Sequence, residues 1–303
     1  MAGSAQERIH RLPLMRSKLF VPGSRPELFD KAWRSEADAL SFDLEDAVTE
    51  SRKVEARELV RKHLADVGSS HAKSVIVRVN PVTSEHFKPD VEAVVQDGLD
   101  VVNLPKVETA EEILAAVALI ERSESERGMA TAGIGILVNI ETPRGLRNAA
   151  ALASASDRVT GLQLGFGDLL EPLGIKRREE TLLPIRLAVR LAAAEAGVAA
   201  FDGAYVAVAK PEGFRAEAEA ARAVGFAGKT CIHPSQIAIA NAVFVPSTNE
   251  IERARKIVAT ADEMLGRGVG AFTIDGVMAD GPFIERARAI LKTADQLNAD
   301  DRA

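Results

Sequence analysis

The chain has one cysteine, Cys231, among 303 residues. That rules out an internal disulfide framework and a thiolate metal cluster. Aromatic residues are 4% of the sequence, no basic tract occurs, and 38 Lys and Arg face 44 Asp and Glu for a formal net charge of -6. Phosphate contacts need a positive face, so nucleic acid is excluded as a partner. The N-terminus lacks an apolar signal core and no run is long enough to span a bilayer, so the expectation is a soluble cytoplasmic protein with no membrane partner. A glycine fingerprint for a dinucleotide is also missing, because Gly133-Ile134-Gly135 precedes a strand rather than following one.

What the sequence does have is repetition. From Gly133 to Asp168, two apolar runs, Ile134–Ile140 and Val159–Leu164, flank a stretch rich in Ala and Leu. Strand, helix and strand make a βαβ unit whose parallel strands end on one side. Glu141 and Asp168 follow those two ends. Two carboxylates converging there suit Mg²⁺. Otherwise Glu141 caps the next helix and Asp168 starts a turn.

The same alternation runs through the chain. Residues 1–15 read as a loose arm. Strand candidates are Lys18–Val21, Ala39–Phe42, Ser74–Asn80, Asp100–Leu104, the two runs above, a weak Ala200–Val206 and Gly228–Ile232. Helical patterns lie between them, including one after Ser24 and Glu27, which stand at capping-box spacing, and one from Glu180 to Ala196. Eight repeats predict an α/β fold, a closed (β/α)₈ TIM barrel over residues 16–245. After Pro246 the pattern changes to a helix over Asn249–Leu265, an extended piece at Ala271–Ile274 and a last helix from about Pro282 through Leu291. Residues 246–303 are therefore expected to form a short, mostly helical extension that packs on the barrel or at a subunit interface.

Other strand ends carry charge. Arg78 lies in an apolar strand, where burial demands a carboxylate partner. That partner is an anionic substrate held by two parallel hydrogen bonds, or Asp43, Glu45 or Asp46 from the neighbouring strand end. Lys106 closes the fourth strand as a Schiff-base candidate or a partner for Asp46. His233, after the eighth strand, is a base or a loop-ordering residue. A metal beside an arginine suits a keto acid or a β-hydroxy acid, with carbon–carbon cleavage next to a carbonyl.

Seven motifs resemble one family: Ser17-Lys18-Leu19-Phe20-Val21-Pro22-Gly23, Phe42-Asp43-Leu44-Glu45-Asp46-Ala47-Val48, Val77-Arg78-Val79-Asn80, Leu104-Pro105-Lys106, Ile140-Glu141-Thr142-Pro143, Gly165-Phe166-Gly167-Asp168 and Ile232-His233-Pro234. It is the citrate lyase beta-subunit-like group, with malyl-CoA and citramalyl-CoA lyases, in the HpcH/HpaI aldolase superfamily. The resemblance covers about residues 16–300. It implies a homo-oligomer, a trimer or hexamer, with Mg²⁺ on Glu141 and Asp168 and a substrate carboxylate on Arg78. It also places Glu45 and Asp46 at the site edge and Lys18 at the same rim. Gly276-Val277-Met278-Ala279-Asp280-Gly281-Pro282 matches the family's C-terminal motif, whose aspartate, here Asp280, serves as acid or base in a neighbouring subunit. Unaided, Asp280 reads as a helix cap before Pro282.

Two positions depart from the family pattern. Val277 stands in place of a common lysine, and Phe166-Gly167 stands where citrate lyase subunits tend to have Ala-Glu. The implied function is a Mg²⁺-dependent lyase that cleaves or forms a 3-hydroxyacyl-CoA thioester of malyl-CoA or citramalyl-CoA type. The products would be acetyl-CoA or a related acyl-CoA and a 2-keto acid. The alternatives are the beta subunit of a citrate lyase complex with an acyl carrier protein, a malyl-CoA thioesterase, and a non-catalytic acyl-CoA-binding scaffold.

Overall fold

The computed structural model describes residues 14–69, 71–130 and 133–300. The arm expected over residues 1–15 falls almost wholly outside them. Eight parallel strands close into a barrel in sequence order: β1 (Ser17–Pro22), β2 (Ala39–Asp43), β3 (Ser74–Arg78), β4 (Val101–Leu104), β5 (Gly135–Ile140), β6 (Val159–Leu164), β7 (Ala199–Asp202) and β8 (Gly228–Cys231), which pairs back on β1. The helices between them are α1 (Phe29–Trp33), α2 (Lys53–Val67), α3 (Phe87–Val94), α4 (Ala110–Glu126), α5 (Pro143–Arg147), α6 (Ala149–Ser154), α7 (Phe166–Leu170), α8 (Glu179–Ala196), α9 (Pro211–Ala223) and α10 (Ile237–Val243). This is the expected (β/α)₈ barrel.

Burial explains the sequence pattern. The strands are covered on both faces, so they read as apolar runs rather than alternating ones. One large core lies under the helices, and a smaller cluster of Ala39, Ile76, Val101, Leu137 and Phe201 fills inward-facing positions. Above that plug the inward layer turns polar, with Lys18, Ser41, Asn103, Asn139, Gln163 and Thr230 all buried. Barrel interiors are usually packed with branched apolar residues, so this layer belongs to whatever is built above it.

The helix starts differ in places from the sequence reading. Ser24 and Glu27 form no capping box; the turn before α1 is a 3-10 helix over Pro26–Leu28, and Glu27 pairs with Arg25 at 2.6 Å. Pro26 sets that tighter turn before a capping box can close. Thr142 rather than Glu141 caps α5, its hydroxyl accepting from Gly145 N with Pro143 at the first helical position.

Residues 245–303 form a second unit. It contains α11 (Thr248–Gly266), an antiparallel hairpin of β9 (Phe272–Ile274) and β10 (Val277–Ala279), and α12 (Gly281–Asp300), so the last helix runs well past Leu291. The hairpin turn is Asp275-Gly276, both at positive φ, a combination suited to a tight two-residue turn. Ala254, Ile257, Ala261, Phe272, Ala279, Ile284 and Ala287 make its core. Among the described residues, no helix is long and apolar enough to cross a membrane.

Candidate active site

The C-terminal ends of β2 to β6 bring together Asp43, Glu45, Asp46, Arg78, Lys106, Glu141 and Asp168, all singled out in the sequence. The loop after β2 is held rigid. Asp43 accepts from the backbone N–H of Glu45 and Ala47, both at 3.0 Å. Lys53 donates to the carbonyls of Leu44 and Glu45 at 2.9 and 2.8 Å, and Asn80 Nδ2 donates to Leu44 O at 3.0 Å. Glu45 is thereby turned inward and buried, while Asp46 stays half-exposed.

Arg78 makes two parallel bonds, but to the protein. Its Nε and Nη2 donate to Asp43 Oδ1 and Oδ2, each at 2.7 Å. The third edge, Nη1, faces Glu45 Oε2 at 2.9 Å and Asp46 at 3.6 Å. The two-pronged grip on a substrate is thus already used by Asp43. What Arg78 can still offer is the Nη1 edge. Burial alone would lower the guanidinium pKa, yet Asp43 and Glu45 outweigh it and hold the charge fixed.

Lys106 sits at positive φ, 52°, in the corner after β4. That bend lets one residue do two things. Its backbone N–H donates to Glu141 Oε1 at 2.7 Å. Its ammonium reaches Glu45 at 2.6 Å, Asp46 at 3.2 Å and Asp168 at 3.6 Å. Burial lowers its pKa, but these acids raise it well above the ordinary value, so the amine stays charged. Of the two roles read from the sequence, the geometry shows the ion-pair partner of Asp46.

Glu141 is 2% exposed and its carboxyl is pushed up to about 7, first by burial and then by the charge of Glu45, with Asp168 adding to it. Asn139 Nδ2 donates to its Oε2 at 3.2 Å, and Asn139 is itself oriented by Asn103 at 2.8 Å and Gln163 at 3.1 Å. The carboxylate rests against Gly165, where any Cβ would overlap it. Gly165 leads into α7, whose first turn carries Asp168. The two acids therefore meet across one turn.

Lys18 is not at the rim. It is the second residue of β1, 1% exposed, and its Nζ lies 4.1 Å from the centre of the Phe20 ring with no hydrogen-bond partner among the described residues. Arg78 stacks on the same ring at 4.7 Å. Burial and then Arg78 hold the Lys18 amine well below its ordinary pKa. The strand register turns it into the barrel, where it feels the charges of Arg78, Asp43 and Glu141. His233 orders its loop, with Nδ1 accepting from Ser235 N at 3.2 Å. Asp280 belongs to the second unit, between β10 and α12, and its carbonyl accepts from Ile284 N at 3.0 Å.

The donor set is all oxygen. Among the described residues, Asp43, Glu45, Asp46, Glu141 and Asp168 have Arg78 and Lys106 as their charged hydrogen-bonding partners, and the excess of negative charge is what raises Glu141 after burial. A hard dication that keeps several waters fits such a place. A second group, Glu50, Glu85 and His86, also has ligand atoms close enough for a metal. There His86 bonds Glu50 at 2.6 Å through Nε2 and has Arg57 at 3.3 Å from Nδ1. Both acids of that group are exposed.

The HpcH/HpaI aldolase/citrate lyase family model matches residues 16–234. The chain belongs to that family. It is 38% identical to the citrate lyase subunit beta of Escherichia coli K12, over 97% of both chains. It is also 38% identical to a (3S)-malyl-CoA thioesterase of Cereibacter sphaeroides, over 96% of this chain and 98% of that one. Among solved structures it resembles the CitE protein of Mycobacterium tuberculosis in complex with magnesium, acetoacetate and coenzyme A. The TM-score is 0.74 and the identity 30%, over 94% of this chain and 99% of that one.

Neither Asn139 with its two amide partners nor the backbone role of Lys106 was visible in the family motifs. Thr142-Pro143 did carry a signal, because Thr before Pro marks a cap and a first turn.

Proposed function

We propose that the chain is a Mg²⁺-dependent carbon–carbon lyase acting on the CoA thioester of a 3-hydroxy acid of malyl or citramalyl type, giving an acyl-CoA and a 2-keto acid. The observation that carries this is the excess of carboxylates around Glu141 and Asp168 beside the Nη1 edge of Arg78. The Mycobacterium relative, with magnesium, acetoacetate and coenzyme A bound, supports it.

Glu141 and Asp168 would hold Mg²⁺, which when bound supplies a Lewis acid to polarise an oxygen. The chain's own groups do the rest. Arg78, fixed by Asp43, presents Nη1 to the substrate carboxylate, and that carboxylate takes the place Glu45 now has against it. Lys106 neutralises the displaced Glu45. Cleavage removes a proton from the 3-hydroxyl, breaks the bond between C2 and C3, and leaves the electron pair on the thioester as an enolate, which is then protonated at carbon. Asp280 would give or take that proton in a neighbouring subunit of a homo-oligomer, a trimer or hexamer.

Deuterium wash-in from D₂O to acetyl-CoA or pyruvate tests the reaction. It should require Mg²⁺ and fall by at least on the order of 10³-fold in Glu141→Gln and in Asp168→Asn. Wash-in that survives in both variants, or without divalent metal, overturns the assignment. The Asp280 role has its own test. Mixing Asp280→Ala chains with Arg78→Ala chains should restore activity that neither parent has. Confirmed subunit exchange with no recovery would remove Asp280 from the site. The thioesterase relative supports a second outcome, hydrolysis of the thioester. Release of free CoA with malate, rather than acetyl-CoA with glyoxylate, would decide for it.

A further inference from the structure

The barrel interior carries a ring of polar atoms that the candidate site does not use. Strand tilt raises a level plane through a (β/α)₈ barrel by two residues at every second strand, relative to the paired register. Ser41 pairs with Ile76 and Ile76 with Val101, so the residue level with Ser41 on β4 is Asn103. The same step leads from Asn103 to Gln163 on β6, from Gln163 to Thr230 on β8, and from Thr230, through Lys18, back to Ser41. Ser41, Asn103, Gln163 and Thr230 therefore make one closed layer, and all are buried. Each offers an oxygen (Ser41 Oγ, Asn103 Oδ1, Gln163 Oε1, Thr230 Oγ1) with no hydrogen-bond partner among the described residues. The Lys18 amine is a fifth such atom. Lys18 stands in the layer below and Phe20 in the layer above, so an amine 4.1 Å from the Phe20 ring centre crosses the four-oxygen layer. Five buried polar atoms at one level without a protein partner demand one of another kind. The two amides are committed elsewhere. Asn103 Nδ2 donates to Leu137 O at 2.9 Å and to Asn139 Oδ1 at 2.8 Å, and Gln163 Nε2 donates to Asn139 Oδ1 at 3.1 Å. Their oxygens are left for the barrel axis.

We infer that this level of the barrel axis binds ordered water, about one or two molecules, held by Lys18 and the four oxygens, and that this water positions Glu141. Charge decides the class of ligand. Four oxygens repel an anion. Arg78 and the Lys18 amine oppose a cation, and burial followed by Arg78 already holds that amine well below its ordinary pKa. Water carries no charge and works in both directions. It can donate to Asn103 Oδ1 and Gln163 Oε1 and accept from a hydroxyl or the amine. Asn139 couples this level to the site above. Its Oδ1 accepts from both amides, and its Nδ2 donates to Glu141 Oε2 at 3.2 Å. Water that fixes the oxygen ends of two amides therefore fixes Asn139, and through it the carboxylate. Lys18 acts as a positioning residue from beneath. The water site is independent of the proposed reaction; its effect on Mg²⁺ rests on Glu141 being a ligand.

A high-resolution crystal structure of the metal-free, full-length protein tests the site directly. Water should lie within about 3.2 Å of Lys18 Nζ and of at least two of the four oxygens. Direct bonds from Lys18 to those oxygens, or no water at this level, overturn the site. Lys18→Met keeps the length of the side chain and removes the donor. In its crystal structure the water should be lost and the bond from Asn139 to Glu141 should lengthen or break. Titration should show Mg²⁺ affinity lower by a few-fold, short of the about 10–100-fold that follows loss of a ligand's direct partner. Thr230→Val removes one hydroxyl at nearly constant volume and should lower the affinity less; it carries the test if Lys18→Met does not fold. A folded variant that has lost the water but keeps the parent's Mg²⁺ affinity and the Asn139 bond overturns the positioning role. Should the parent itself fail to bind Mg²⁺, the metal assignment falls, and the water and the Asn139 bond in the two crystal structures still decide this proposal.

Discussion

Two clusters of buried charge lie at different sides of the barrel, and they are composed differently. Between the ends of β7 and β8 and helices α8 and α9, Asp202, Glu217 and Glu179 face Arg186, Lys229 and Arg177. The charges balance. Lys229 reaches Asp202 at 2.5 Å, and both are fully buried. Burial would raise the Asp202 pKa, but Lys229 and Arg186 outweigh it and hold the acid ionised. At the ends of β2 to β6, five carboxylates face two hydrogen-bonded cations, and Glu141 is driven up to about 7 instead. A cluster that closes on itself locks two strands to two helices. A cluster that does not close has room for a ligand of opposite charge. Balance, more than burial, separates scaffold from site.

Breaking the closed cluster should give the largest stability effect. Lys229→Met removes one cation from a fully buried Asp202. Loss of one partner from a buried pair costs about 3–5 kcal/mol, read as a drop in the urea midpoint. Mg²⁺ affinity should not change beyond what unfolding explains. A variant as stable as the parent would mean that Arg186 alone satisfies Asp202, and the contrast between the clusters would weaken.

The open cluster should show itself in the pH dependence of stability. The Glu141 carboxyl moves from an ordinary 4.5 to about 7 on folding. Between those values the folded protein keeps a proton that the unfolded chain releases. Stability of the metal-free protein therefore falls as pH rises through this window, by up to roughly 3 kcal/mol at 1.36 kcal/mol per unit. Glu45, raised mainly by burial, pulls in the same direction. Saturating Mg²⁺ should recover the loss at pH 8 and do little at pH 5. Urea unfolding at both pH values, with and without Mg²⁺, measures this. Glu141→Gln should flatten the slope, and an equal slope in variant and parent would place the excess charge elsewhere.

The open cluster was largely legible in the sequence and the closed one was not. Asp43, Glu45, Asp46, Arg78, Lys106, Glu141 and Asp168 all follow or end strands that read as clear apolar runs, so lining up strand ends found them. Asp202 ends a strand too. The weak seventh run was extended to Val206, past the Asp202-Gly203 turn, although β7 stops at Asp202. With that end misplaced, its partners had no reason to stand out. Arg186 sits on a helix face that otherwise reads as apolar, and Lys229 points out of β8 toward the helices. Side-chain geometry was beyond reach for another reason. Whether Arg78 grips a substrate or Asp43 depends on the register between β2 and β3, which makes Asp43 and Arg78 direct neighbours. The burial of Lys18 similarly depends on which way β1 faces, which a six-residue run of mixed character does not specify. The hairpin of the second unit was missed although Asp275-Gly276 is a strong turn signal, because its strands are only three residues long.

The smallest effect gives the sharpest comparison. Asp46 and Glu179 are matched probes: each is an acid at the edge of its cluster, with 50% of its side chain exposed, and each pairs with cluster cations. Asp46 lies 3.2 Å from Lys106 and 3.6 Å from Arg78, and Glu179 lies 3.0 Å from Arg186. Asp46→Asn and Glu179→Gln therefore remove one charge from comparable surroundings. Half-exposed pairs contribute little to stability, so both should stay within about 1 kcal/mol of the parent. Their effects on Mg²⁺ should differ. Removing Asp46 reduces the field that holds a dication, and a single screened charge at this exposure is worth a few-fold in affinity, under about 1 kcal/mol. Raising the salt concentration should shrink that difference further. Glu179→Gln touches a cluster with no role in binding the cation and should leave the affinity where it was. Titration of both variants with Mg²⁺ in one buffer would settle the matter: equal affinities would mean that the carboxylate excess at the mouth does not set cation binding, and that Glu141 and Asp168 act alone.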